Sequence, residues 1–239
     1  MIHLPQLDLD APDRFPDPRN ALADPNGLLA FGGDLSPQRL LTAYSLGIFP
    51  WFSKGEPILW WSPDPRCVFR TDTLRVNRSL RRLLASKPWR LTVDHAFEQV
   101  IRACAAPRTN EVGTWIVPAM IDAYVKLHRQ GHAHSVEVWE GKQLVGGIYG
   151  VAVGRLFCGE SMFSAQSGGS KIALIALAQL LRTLEFPLID AQVANAHTLG
   201  LGATEISRSE FLRHASRLVR LPSSAGSWAV LTAQLLQPS

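Results

Sequence analysis

The apolar positions of this chain change their spacing several times, and each change predicts an element. The first 34 residues are interrupted by Pro, Asp and Gly, as in Phe15-Pro16-Asp17-Pro18 and Phe31-Gly32-Gly33-Asp34, and read as turns and irregular chain. Leu40, Leu41, Tyr44 and Leu46 then recur at helical spacing, behind a capping Ser36 and a first-turn Pro37 and ahead of Gly47 as a stop. Short apolar runs over 48–52 and 58–66 predict β segments joined by tight turns. A basic helix follows from Asn77 to about Ser86, then a strand over 90–93 and a helix capped by Asp94 that runs to about Ala105. A further helix spans 118–129 and ends at Gly131. The alternation of Ser135-Val136-Glu137-Val138-Trp139, the turn Glu140-Gly141-Lys142 and the return over 144–153 predict a hairpin, with 155–162 as the next strand. A helix over 170–185, a strand over 188–193 and a helix over 208–219, opened by the capping box Ser207-x-x-Glu210, complete the pattern. Antiparallel strands that lead into a helix and another strand predict an α+β, or mixed α/β, fold with helices on the faces of its sheet.

Composition narrows the class. A chain of 239 residues, 46% apolar, can bury a sizeable core, and no apolar run approaches the roughly 20 residues that span a bilayer. The N-terminus lacks the charged and apolar regions of a signal peptide, so a cytoplasmic location is expected. Cys67, Cys104 and Cys158 show no CxxC spacing, which predicts buried free thiols rather than disulfides or a structural zinc. Net charge is only +4, yet residues 66–90 hold eight basic side chains against the single acid Asp72. That excess predicts a polyanionic partner.

The candidate chemistry gathers at two strand ends. Gly159-Glu160-Ser161-Met162-Phe163-Ser164 places a carboxylate where one apolar strand gives way to a helix. In Leu188-Ile189-Asp190-Ala191-Gln192-Val193, strict alternation puts Asp190 and Gln192 on one face. If the two strands are neighbours, Glu160, Asp190 and Gln192 share a cleft; each acid taken alone reads equally as a structural partner of nearby amides. Ser161 and Ser164 lack a GxSxG elbow, and no cysteine has a local histidine partner, so covalent catalysis is not expected. His128, His132 and His134 have metal-like spacing but no clear fourth ligand, and no metal is expected. The backbone of Gln166-Ser167-Gly168-Gly169-Ser170-Lys171 is placed to bind an anion at a helix start, partly like the pyrophosphate loop of coenzyme A dependent N-acyltransferases. Arg75, Arg78, Arg81 and Arg82 make one basic face, readable as a solvated surface or as an RNA contact. Trp51, Trp60, Trp61 and Trp115 stand near turns, where a ring can stack on an unpaired base or simply fill the core.

Five separated motifs, Gly47-Ile48-Phe49-Pro50-Trp51-Phe52, Trp60-Trp61-Ser62-Pro63-Asp64-Pro65-Arg66, Gly113-Thr114-Trp115-Ile116, Gly159 to Ser164 and Ile189-Asp190-x-Gln192, together resemble the bacterial leucyl/phenylalanyl-tRNA-protein transferases, over about residues 15–219. The resemblance implies a small N-terminal domain (1–65) before a GNAT-like acyltransferase domain (66–239), working without coenzyme A, ATP or metal. It implies transfer of leucine, and less readily phenylalanine or methionine, from its tRNA to the α-amine of proteins that begin with Arg or Lys, creating an N-terminal degradation signal. It also implies roles. Asp190 and Gln192 would stand at the reacting centre, with Glu160 holding substrate. Met162, Leu174, Leu177 and Ile189 would form the aminoacyl pocket, and Tyr44, Trp51, Trp115 and Phe157 would contact the terminal adenosine. Arg75, Arg78, Arg81, Arg82 and Lys87 would contact the acceptor stem. A monomer is expected. The competing readings are a coenzyme A dependent N-acetyltransferase and a non-catalytic tRNA-binding protein.

Overall fold

The computed structural model describes residues 4–74, 82, 87–106, 115–223 and 228. The described residues build two sheets with helices between and around them. The smaller sheet has four strands in the order β1 (Gln6–Leu7), β2 (Leu28–Gly32), β4 (Leu59–Trp61) and β3 (Phe49–Pro50). Helix α1 (Pro37–Ser45) crosses from β2 to β3. It starts where Ser36 accepts the Arg39 N–H beside Pro37, and it ends at Leu46 and Gly47, whose φ of +74° is open mainly to glycine.

The larger sheet begins with β5 (Arg66–Arg70) and β6 (Trp89–Val93). Helices α2 (Phe97–Ala105) and α3 (Pro118–Arg129) follow, then the meander β7 (Ala133–Glu140), β8 (Gln143–Val153) and β9 (Leu156–Ser164). Helix α4 (Gly169–Thr183), β10 (Leu188–Gln192), α5 (Ala196–Gly200), β11 (Thr204–Ile206) and α6 (Arg208–Leu218) close the chain's described part. The sheet order is β11-β5-β10-β9-β8-β7-β6, and its one parallel pair is β9 with β10. The result is a mixed α/β fold.

Alternation along the central strands sends successive side chains into two cores. Val136, Val138, Ile148, Phe157 and Ile189 pack with α4, which is buried along most of its length. On the opposite face Tyr149, Val151, Cys158 and Leu188 join Phe97, Val100 and Ile101 of α2 and Met120, Tyr124 and Leu127 of α3. This second core continues through Leu40, Ala43 and Tyr44 of α1 to Leu29, Ala30 and Trp60 of the small sheet. Each fully buried side chain of this size contributes roughly 1.5–3 kcal/mol, so the shared core joins the two sheets firmly.

Most predicted elements stand within a residue or two of their expected ends, but several details differ. Asp94 does not cap α2. It lies at φ +57°, and its carboxylate takes the Ser135 N–H and His134 Nδ1. The buried Glu137 faces the start of α2 instead, accepting the N–H groups of His95 and Ala96 at 3.4 Å. Ser207 does accept the Glu210 N–H, whereas the reciprocal capping box stands at Asn195 and Thr198, opening α5. Helix α5 and strand β11 follow no sustained period and were not expected. The basic helix predicted from Asn77 lies outside the described residues, apart from a helical Arg82.

Candidate active site

Strands β9 and β10 are neighbours, as the two-carboxylate reading requires, but only briefly. They pair from Leu156↔Leu188 to Cys158↔Asp190. Beyond that point β9 stays with β8 while β10 bends away, and the separation opens a cleft of about 1320 Å³. Met162, Phe163, Leu174 and Ile189 line its apolar part, and Trp115, Glu160 and Gln192 reach it as well. A smaller pocket of about 160 Å³ adjoins it, lined by Phe49, Trp51, Trp115, Glu160 and Gln192. A crevice at the carboxyl ends of diverging parallel strands is where mixed α/β sheets place ligands.

Both strands carry a bulge here. Tyr149 opposes Ser161 and Gly150 opposes Gly159, so Glu160 is the extra residue of β9. Likewise Asp190 opposes Val68 and Gln192 opposes Cys67, leaving Ala191 as the extra residue of β10, with Gln192 at φ +54°. A bulge re-aims the side chains around it. For that reason the expectation that Asp190 and Gln192 share a face fails: Gln192 lines the cleft, while Asp190 is fully buried away from it.

Asp190 is committed to another partner. Arg66 Nε donates to its Oδ1 and Arg66 Nη2 to its Oδ2, both at 2.7 Å, and both side chains are shut off from solvent. Asp190 Oδ1 also accepts the backbone N–H of Gln192 at 3.0 Å. The carboxylate therefore meets Gln192 through its backbone and does not itself line the cleft.

Glu160 has the opposite surroundings. Tyr44 Oη donates to its Oε1 and Tyr124 Oη to its Oε2, each at 2.8 Å, and the two hydroxyls also touch each other. Burial pushes the Glu160 carboxyl up to about 7, outweighing the two tyrosine hydrogen bonds that favour its charged form; nearby Asp190 raises it further and Arg66 opposes. An acid tuned near neutrality beside a cleft is suited to take up and release a proton.

The remaining expected residues divide. Trp51, 43% exposed and tilted against the Trp61 ring, and the half-buried Trp115 line the small pocket. Tyr44 is buried, with its hydroxyl spent on Glu160 and Tyr124, so it does not present a ring to the pocket. Phe157 is buried in the core beneath α4, near Trp228, and lines neither the pocket nor the cleft. Met162, Leu174 and Ile189 line the cleft, whereas Leu177 lies deeper in the α4 core and does not. Lys87 Nζ stands 3.4 Å from Gln166 Oε1 and close to the Trp89 ring. Arg82 is exposed, and Arg75, Arg78 and Arg81 lie outside the described residues.

Two N–H groups of the expected anion loop are bonded within the protein. Gly169 N–H bonds the Gln166 carbonyl, and Ser170 N–H bonds Ser164 Oγ. Gly169 also packs so tightly on β8 that a Cβ there would meet Val145 O at 2.5 Å. His128 and His134 both approach Asp94, at 3.9 and 2.8 Å, and His128 Nδ1 also meets the Ala133 carbonyl. Among the described residues no group of three or more His, Cys, Asp or Glu side chains is placed to hold a metal ion, and no helix is long and apolar enough to cross a membrane. All three cysteines are buried and none is in a disulfide.

Two residues of the site escaped the sequence reading. Arg66 counted there as part of the basic stretch, although a lone cation opening the apolar run Cys67-Val68-Phe69 signals burial against an acid. Tyr124 falls on the apolar stripe of α3 with Met120, Ile121 and Leu127, a position that reads as core.

The chain matches two families, described as leucyl/phenylalanyl-tRNA protein transferase over residues 68–216 and as its N-terminal domain over residues 33–64. It is 59% identical over 229 residues to a leucyl/phenylalanyl-tRNA–protein transferase of Xanthomonas axonopodis, covering 95% of this chain and 92% of that one. A protein of the same name from Shewanella woodyi is 54% identical, covering 91% and 92%. Among solved structures, the L-PGS of Bacillus licheniformis is similar at 13% identity and a TM-score of 0.38, covering 72% of this chain and 55% of that one, a distance at which it adds no weight.

Proposed function

This chain belongs to the leucyl/phenylalanyl-tRNA protein transferase family of aminoacyltransferases, and from that premise we propose that its cleft joins leucine, and less readily phenylalanine or methionine, to the α-amine of proteins that begin with Arg or Lys. The observation that carries this reading is Glu160, a carboxyl tuned to about 7 and set on a bulge where the aromatic pocket meets the apolar cleft.

The terminal adenosine of the tRNA enters the pocket beside Trp51 and Trp115, where stacking suits any base face. The aminoacyl side chain turns into the apolar cleft against Met162, Leu174 and Ile189. Burial of a leucine side chain there contributes roughly 1.5–3 kcal/mol. Gln192 offers an amide that accepts from, and so orients, the incoming amine. Asp190 acts at one remove, as a positioning residue that fixes the backbone of Gln192.

The reaction needs no further energy source, because the tRNA ester is already activated and the site has only to align the partners. The amine nitrogen attacks the ester carbonyl carbon as Glu160 takes one of its protons. The tetrahedral intermediate then collapses, the carbon–oxygen bond to the ribose breaks, and the ribose oxygen recovers a proton from Glu160. A peptide bond and a free tRNA hydroxyl result. An α-amine with pKa near 8 needs only a base of about this strength. The division into a small N-terminal domain over 1–65 and a transferase domain over 66–239 is proposed likewise, supported by the separate family matches on either side of residue 65.

Incubation of the purified protein with labelled leucyl-tRNA and a peptide beginning with Arg tests the reading. Label should appear in the peptide. Its absence under conditions where the tRNA binds rejects the proposal, and thiol release from acetyl-CoA would replace it with an acetyltransferase.

A further inference from the structure

The guanidinium of Arg66 lies at the centre of the molecule yet touches neither pocket. Its side chain is fully buried, with the Phe49 ring centroid 4.8 Å and the Phe211 ring centroid 4.4 Å from Cζ. These rings come from the small sheet and from α6, so Arg66 sits where both ends of the described chain meet β5. Its hydrogen bonding goes to Asp190 alone, and Nη1 makes none.

A buried ion pair is a poor means of stabilising a core, since apolar side chains of similar volume do as well or better. What distinguishes this pair is where its carboxylate leads. Asp190 Oδ1, held by Arg66 Nε, also accepts the N–H of Gln192, a non-glycine residue at φ +54°. A left-handed conformation of this kind persists only when its surroundings impose it. The fork of Arg66 fixes both carboxylate oxygens, the carboxylate fixes the turn, and the turn sets the direction of the Gln192 side chain into the pocket.

We propose that Arg66 is a positioning residue of the transfer reaction, acting through Asp190 on the orientation of Gln192. The inference rests on the transferase reading above. It adds that the alignment of the amine depends on a cation that no substrate atom meets. Arg66 also faces Glu160 through space and opposes the rise of its pKa, so both groups proposed to handle the amine feel the same charge.

Arg66→Lys gives the first test, because it keeps a cation and an apolar stem between the two rings but loses the bidentate fork. With leucyl-tRNA saturating, the single-turnover transfer rate should fall on the order of 10- to 100-fold, as misalignment at a reacting centre does, while the dissociation constant for leucyl-tRNA changes by less than about twofold. The decisive arm is a double-mutant cycle. In a Gln192→Ala background the same substitution should slow transfer by less than about threefold, because the side chain it orients is gone. Rates that multiply independently overturn the proposal, as does an unchanged rate for Arg66→Lys. Arg66→Gln, which retains one N–H toward Asp190, serves as the second variant. If both variants lose their folded circular dichroism spectrum, Arg66 belongs to the fold alone and the proposal fails. The wild-type arm is read first: no transfer there rejects the transferase reading, and the role of Arg66 falls with it, whereas transfer by the wild type with independent multiplication rejects only Arg66.

Discussion

Glu160 and Asp190 stand near the ends of neighbouring strands, the first within the bulge of β9 and the second beside the bulge of β10, and their surroundings diverge completely. Asp190 meets a guanidinium bidentately and is closed off from the cleft. Glu160 meets two neutral hydroxyls, faces the cleft, and holds its proton up to about pH 7. The same functional group thus becomes a fixed strut or a titratable acid according to whether its neighbour carries charge. Position along the strand does not decide the role; the partner supplied by a distant segment does.

The largest effect should come from breaking the strut. Asp190→Ala leaves the Arg66 cation buried without its partner, and urea unfolding should show a loss of about 3–5 kcal/mol, with transfer failing as the fold weakens. A loss below about 1 kcal/mol would mean that the pair is not the anchor its geometry indicates.

Glu160→Gln should behave in the contrary way. The fold and the affinity for leucyl-tRNA should remain, while the single-turnover rate drops about 100-fold, the usual contribution of a positioned proton acceptor. The wild-type rate should rise with pH through about 7, and the variant should lack that limb. If the two proteins share one pH profile, Glu160 is not the acceptor.

Tyr124→Phe sharpens the point. Tyr124 donates to the charged form of Glu160, so its loss should move the midpoint of the pH profile upward by about one unit. A downward shift would contradict the assigned direction of that hydrogen bond.

The last effect concerns stability. The folded protein holds the Glu160 proton more tightly than the unfolded chain, whose carboxyl has a value near 4.5, so protonation of Glu160 favours folding. That contribution is complete below about 4.5 and is lost as pH rises to about 7. The melting temperature of wild type should therefore drop relative to Glu160→Gln across this window and run parallel to it above. Parallel curves throughout would show that the residue does not change its proton affinity on folding.

The contrast also explains what was legible in the chain. Helix α3 stood out because Pro118, the stripe Met120, Ile121, Tyr124 and Leu127, and Gly131 all mark it locally. The β7–β8 hairpin announced itself by alternation around Gly141. The bulges at Glu160 and Ala191 could not be read, since an inserted residue leaves the sequence alternating while the pairing slips. Alternation therefore put Gln192 on the face of Asp190. The partners were hidden for a related reason: Tyr44 and Tyr124 lie 116 and 36 residues before Glu160, and Arg66 lies 124 before Asp190. Trp51 and Trp115 reach the pocket, and Met162, Leu174 and Ile189 the cleft, because they occupy loops, strand faces and the first turns of α4 around the parting strands. Phe157 and Leu177, close by in sequence, fall one turn or one face away.

One feature of the Glu160 cradle reaches beyond chemistry. Tyr44 descends from α1, which belongs with the small sheet, and Tyr124 from α3, which packs on the large one. The carboxylate accepts a bond from each and so works as a rivet between the two halves. Loss of either tyrosine hydroxyl would therefore remove a tie between these halves as well as raise the proton affinity of the carboxyl.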